Sequence, residues 1–181
     1  MEHLSEQEYS KIWDYILDHG DSVDRVLFVL MGQLGMRRGE VVHIKKDWID
    51  FQEKRVKIPE EDDDWTPKTP NSARVIPYRE LTKAEKVIPA FFEINKEIPI
   101  TTGPGITYRV KSWVKDLEIT TKVSPHVLRA TAAMKMANEG FSSQALKSYF
   151  GWADLQTADK YIHNSSRAAE RDLERLGEDI K

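Results

Sequence analysis

The chain has 181 residues, 40 % hydrophobic and 31 % charged, a globular composition with room for one sizeable core. It has no cysteine, which excludes disulfides, thiolate catalysis and cysteine zinc sites. Its five histidines form no HExxH-type pair, so no metal site is expected; no small-molecule cofactor is expected either. The net charge of −3 argues mildly against a nucleic-acid partner, and no apolar run is long enough to span a bilayer, so a soluble, cytoplasmic protein without membrane contact is expected.

Helical signals come first along the chain. Ser5 with Glu8 forms a capping-box pattern ahead of a stripe of Ile12, Trp13, Ile16 and Leu17, closed by Gly20. A second stripe, Val23, Val26, Leu27, Leu30, Met31 and Leu34, stops at Gly35, where a left-handed cap is predicted. A short helix from about Arg38 to Ile44 should bury Val41 and Ile44. The period then changes to two. Arg55–Ile58 and Ala73–Pro77 alternate as hairpin strands, with Trp48–Phe51 as a third, and a polar link from Pro59 to Ser72 joins the hairpin.

Helices return at Thr82, where Glu85 completes a second capping-box pattern and Pro89 should break or kink the segment running to Glu97. Ile106, Val110, Trp113, Val114 and Leu117 form the next apolar stripe. Ser124-Pro125 is an N-cap followed by a proline at the first helical position, with that helix running to Asn138. Short helices near Ser143–Phe150 and Thr157–Asn164 precede a charged terminal helix from about Arg167, whose stripe is Ala169, Leu173, Leu176 and Ile180. The fold class is α+β, mostly helical, with one small three-stranded antiparallel sheet. Charge is unevenly spread: Arg109, Lys111, Lys115, Lys122, Arg129 and Lys135 stand against only Asp116 and Glu118, while acid gathers at Glu60–Asp64 and in the tail. A basic face for DNA is compatible with that distribution.

Four motifs line up in order. Gly35-Met36-Arg37-Arg38-Gly39-Glu40 sets an arginine at a helix start, and Lys68 is the single lysine of the hairpin link. His126-Val127-Leu128-Arg129 opens a capped helix, and Gly151-Trp152 is followed by Lys160-Tyr161. The series, with the run Glu40–Asp50 after the first box, resembles the catalytic domain of the tyrosine recombinases, from about Leu4 to His163. That resemblance implies a site of Arg37, Lys68, His126, Arg129, Trp152 and Tyr161. Arg37 and Arg129 would each offer a planar fork of donors to a phosphate. One preorganised donor of this kind is worth about 3–4 kcal/mol in the transition state.

Tyr161 would be the nucleophile that forms a 3′-phosphotyrosine, its ionisation favoured by the two arginines and the histidine. Lys68 would protonate the leaving 5′-oxygen. Trp152 stands where most of the family has histidine; its indole N–H can donate to phosphate but cannot act as a base, which leaves that task to His126. Glu40 is expected to support Arg37 or the helix rather than to react. The resemblance further implies double-stranded DNA and a tetrameric synapse as partners. Residues 1–164 read as the catalytic domain and 165–181 as a tail helix that docks either on its own domain or on a neighbouring protomer. The helical domain that usually precedes this one in the family is expected to be absent. Two other functions share the pattern: type IB topoisomerase-like relaxation, and a catalytically idle DNA-binding accessory protein.

Overall fold

A computed structural model describes residues 2–179. Helix α1 (Glu6–His19) starts at the expected capping box, with the Ser5 hydroxyl accepting from Glu8 N–H and the Glu8 carboxylate accepting from Ser5 N–H. Helix α2 (Ser22–Phe28) opens with a second box, Asp21 and Asp24, and widens into a π turn at Val29–Gln33. That turn takes up one extra residue, seen as Leu34 N–H bonding to Val29 O at 3.0 Å. It ends at Gly35 with φ of +66°, the left-handed cap the sequence indicates. Arg37 then caps α3 (Arg38–His43), which buries Val41 and is followed by buried Ile44.

The sheet is smaller than its patterns suggest. Strand β1 (Ile49–Asp50) is two residues long because Trp48 belongs to a 3-10 turn, Lys46–Trp48. It pairs antiparallel with β2 (Arg55–Ile58), which pairs with β3 (Arg74–Pro77), giving the order β1-β2-β3 with Ile58 opposite Arg74.

Helix α4 (Thr82–Ile94) corrects two expectations. Its N-cap is Leu81 without a side-chain bond, because Glu85 is drawn instead to Lys54 Nζ at 2.8 Å and to Glu80 N–H at 3.2 Å. It also runs on through Pro89 and ends at Ile94 rather than Glu97; burial of Ile88, Phe91 and Phe92 on one face outweighs the lost backbone bond.

Helix α5 (Gly103–Val114) buries Ile106, Val110 and Trp113. Helix α6 (Pro125–Asn138) is capped by Ser124 and runs through the middle of the body, with eleven of its residues from Pro125 to Ala137 buried, and packs against the π turn. Around it close α7 (Ser143–Phe150), ended by left-handed Gly151, and α8 (Leu155–His163), capped by Asp154 rather than begun at Thr157. The terminal helix α9 (Ser166–Asp179) leaves Leu173 and Leu176 exposed at 67 % and 59 %; Ile180, the last residue of the expected stripe, lies outside the described residues. Among the described residues no helix is long and apolar enough to cross a membrane.

Candidate active site

Three helix ends meet at one place: the left-handed turn at Gly35, the start of α6, and the left-handed turn at Gly151. Arg129, on the first turns of α6, donates through one guanidinium nitrogen to Gly35 O and through the other to Phe150 O at 2.6 Å. Arg37 donates to Gly151 O at 3.1 Å, to Ser72 Oγ at 3.2 Å and to Glu40 Oε1 at 3.1 Å. Arg129 is thus pinned by carbonyls of two separate turns, and Arg37 by one turn carbonyl, a hydroxyl and a carboxylate. Arg37 stays 26 % exposed through its side chain while Arg129 is 8 % exposed, so the pair forms a cationic floor with one open edge. Burial first, then the charges of Arg37 and Arg74, push the Arg129 guanidinium down to about 9, still protonated at neutral pH.

Glu40 is completely buried, and all of its acceptor positions are filled. Oε1 accepts from Arg37 Nη1 and from Arg74 Nη1 at 2.7 Å. Oε2 accepts from Arg37 N–H at 2.8 Å and from Arg74 Nη2 at 3.1 Å. Burial alone would raise this carboxyl, but the hydrogen bonds and charge of Arg74, the Arg37 N–H and the charge of Arg129 outweigh it and hold it below the ordinary value. The expected support of Arg37 by Glu40 is seen in the structure, and Arg74 and Ser72 are site residues that the motif reading missed. One signal for Arg74 was available. On β3, Val75 faces out and Ile76 is fully buried, so the period of two places Arg74 on the inward face, where an arginine needs a buried partner.

Tyr161 projects from α8 onto the same place. Its ring lies parallel to Trp152 at 5.2 Å and 9°, and Trp152 in turn stacks on Phe150 at 5.0 Å. The Arg129 guanidinium sits over Phe150 and Trp152, at 5.4 and 5.9 Å from the ring centroids. Tyr161 is only 7 % exposed, and its hydroxyl makes no hydrogen bond among the described residues. The expectation of a favoured phenolate is corrected here. Burial pushes the Tyr161 phenol up, and the charge of Arg129 offsets this only in part, so in the DNA-free chain the nucleophile candidate is a neutral phenol.

His126 is exposed at the first turn of α6 and lines a cavity of about 310 Å³ with Arg37, Arg38, Thr107, Ser124 and Pro125. It therefore shares an opening with Arg37. Lys68 does not join the cluster. It is exposed in the β2–β3 link and makes no hydrogen bond or ion pair among the described residues. The link itself is held at both sides of Lys68. After it, Thr69 Oγ1 and Ser72 Oγ are 3.1 Å apart, and Ser72 reaches Arg37. Before it, Trp65 packs on Trp48 and His43, while Asp62 accepts from Trp48 Nε1 at 2.8 Å and pairs with Lys45 at 3.4 Å. The acidic run beside Lys68 thus has a structural use: Asp62 fastens the link to the helical body. Of the basic residues between Gly105 and Met136, Arg109 is engaged by Asp21 and Asp24 and Arg129 lies inside the cluster, so the run does not form one continuous face.

A profile of the phage integrase family matches residues 2–167. Tyrosine recombinase XerC of Staphylococcus saprophyticus is 29 % identical over 152 residues, 77 % of this chain and 49 % of that protein. XerC of Staphylococcus carnosus is 27 % identical over 177 residues, 90 % of this chain and 57 % of that protein. The chain spans about half the length of the curated relatives it matches. Among solved structures, XerA recombinase superposes with a TM-score of 0.74 at 19 % identity, over 96 % of this chain and 64 % of that one. The integrase of transposon Tn1549, in complex with transposon right end DNA, gives 0.73 at 17 % identity, over 97 % and 66 %. These likenesses show a common fold. With its helical body, three-stranded sheet and matched profile, the chain belongs to the phage integrase family and has the fold of a tyrosine recombinase catalytic domain.

Proposed function

We propose that the chain cuts and rejoins double-stranded DNA by site-specific recombination, with Tyr161 as nucleophile. The observation that carries this is the convergence of Arg37 and Arg129 on the turn carbonyls of Gly35, Phe150 and Gly151, one stacked ring away from Tyr161. The name of one structural neighbour, XerH bound to palindromic difH substrate in a post-cleavage complex, supports DNA as the substrate, as does that of the Tn1549 integrase. The two guanidiniums would hold the non-bridging oxygens of one phosphodiester as negative charge grows on them. Tyr161 Oη bonds to phosphorus, the bond to the 5′-oxygen breaks, and a 3′-phosphotyrosine and a free 5′-hydroxyl result. His126, at the mouth of the same cavity, accepts the phenol proton. Lys68 delivers a proton to the leaving oxygen once its link closes over the DNA, and the Trp152 indole N–H donates to the phosphate. The bond energy stays in the covalent link, so a new 5′-hydroxyl can reverse the reaction on another strand. Recombination in this scheme takes place between protomers assembled on DNA.

The test is capture of a denaturation-resistant adduct on nicked duplexes of randomised sequence, where loss of the short strand beyond the nick traps the intermediate. Wild type should form the adduct at Tyr161, and Tyr161→Phe should form none while binding DNA as before. A normal yield from Tyr161→Phe, or an adduct mapped to another residue, would overturn the assignment. No adduct from wild type would favour the catalytically idle accessory reading, and relaxation of supercoiled plasmid without strand exchange would favour the topoisomerase-like one.

A further inference from the structure

Arg74 lies in no motif of the site, yet it is the most heavily engaged cation there. Its side chain is 5 % exposed, and it donates through Nε to Tyr149 O at 2.8 Å, through Nη1 to Ser72 O at 2.8 Å and to Glu40 Oε1, and through Nη2 to Glu40 Oε2. So placed, it has no open edge with which to reach a phosphate. It also presses on the turn that holds Arg37: a methyl group on Gly151 would stand 3.0 Å from Arg74 Cδ and Nη1. One residue therefore joins the start of β3, the end of α7 and the carboxylate at the start of α3.

The charges show what this joining does. Arg37, Arg74 and Arg129 surround a single buried carboxylate, Glu40. With Arg74 present, Glu40 has a bidentate partner of its own, and Arg37 spends only one side-chain nitrogen on it. Arg37 gives three of its five donors to protein acceptors and keeps the rest for the open edge. Without Arg74, a fully buried carboxylate would lose two of its four hydrogen bonds, and the nearest movable cation able to replace them is Arg37. A buried unpaired charge is costly enough to draw that side chain away from Gly151 and Ser72.

We propose that Arg74 is a positioning residue for DNA cleavage, acting through Glu40: it saturates the buried carboxylate so that Arg37 remains free for the phosphate. The proposal rests on the function proposed above, and its test separates the two. Single-turnover adduct formation on the nicked duplex pool is measured for Arg74→Gln, Arg74→Lys, Glu40→Gln and the double variant Glu40→Gln/Arg74→Gln. DNA affinity is read in a Tyr161→Phe background, and thermal unfolding is followed throughout. Arg74→Gln should cleave about 100-fold more slowly with little change in DNA affinity. The double variant should regain about 10-fold or more of that loss, because no uncompensated carboxylate is left to capture Arg37. Arg74→Lys, which keeps the charge but not the fork, should fall between wild type and Arg74→Gln.

A residue that merely props the fold would give the opposite result, since removing a second buried partner can only loosen it further. A double variant no faster than folded Arg74→Gln overturns the proposal, as does an Arg74→Gln rate within about 3-fold of wild type. If Arg74→Gln does not fold, the double variant must, and its failure to do so also overturns the proposal. If wild type makes no adduct at all, the functional reading falls. The role in cleavage falls with it, and the pairing of Arg74 with Glu40 is then decided by unfolding: the melting temperature lost in Arg74→Gln must return in the double variant.

Discussion

Gly35 stands where the first motif, the central helix and the α7 turn all touch, and replacing it with alanine perturbs each of them. Two costs add. The backbone has φ of +66°, and a Cβ in that region costs about 1–2 kcal/mol. The added methyl would overlap Cε1 of Phe150 and stand 2.8 Å from its Cδ1. Phe150 is fully buried, edge-on to Tyr149 at 5.2 Å and stacked on Trp152 at 5.0 Å, so it cannot swing aside without moving both. Overpacking of this kind costs about 1–3 kcal/mol, for a total of about 2–5. For a domain of this size each kcal/mol moves the melting temperature by about 2–4 °C, so Gly35→Ala should melt about 4–20 °C lower. Gly39, four residues on and inside α3, is the control, because a methyl group there meets nothing within 4 Å. Gly39→Ala should leave stability unchanged or raise it by about 0.4–1 kcal/mol. Calorimetry or a circular-dichroism melt reads both. Because Arg129 is pinned between Gly35 O and Phe150 O, adduct formation by Gly35→Ala should also fall at temperatures where the variant is fully folded. A Gly35→Ala melting point within about 2 °C of wild type would mean that the Phe150 stack yields freely, and the reasoning from rigid packing would fail.

Replacing Lys68 with alanine should slow cleavage by about 100-fold or more on ordinary DNA and recover on a substrate with sulfur at the bridging 5′ position, whose leaving group needs no proton; no recovery on the sulfur substrate would remove Lys68 as the acid. The Glu40 carboxyl is held below its ordinary value of 4.5, so its contribution to stability is complete above that value and is lost as the pH falls through the lower folded-state value. Urea unfolding of wild type and Glu40→Gln should therefore converge as the buffer is taken below about pH 4.5, and a gap that stays constant to about pH 3 would contradict the linkage. Truncation after Ser166 removes a helix whose Leu173 and Leu176 are exposed. The shortened chain should keep its melting temperature and form the adduct on a single nicked site while failing to assemble protomers on DNA; unchanged assembly with a lower melting temperature would place α9 on its own domain.

The elements that the sequence determined by itself are those specified within a few neighbouring residues. The Ser5 and Ser124 caps, the left-handed stop at Gly35 and the alternating strands β2 and β3 depend on local hydrogen bonds and on φ, and all of them stand where the patterns put them. Arg37 at the start of α3 and Trp152 after the Gly151 turn were legible for a related reason, since residue types there are locally constrained, whereas Arg129 within α6 and Tyr161 in the last turn of α8 were legible through motif order alone. Other features were settled only by partners far along the chain. Glu85 abandons its cap for Lys54, α4 survives Pro89 because one face is buried, and Arg74 enters the site through Glu40, thirty-four positions away. The protonation of Tyr161 belongs with these. Motif order placed its ring beside an arginine, but how much water the fold strips from that ring is set by Trp152 and the packing beneath it, and burial there outweighs the arginine's charge.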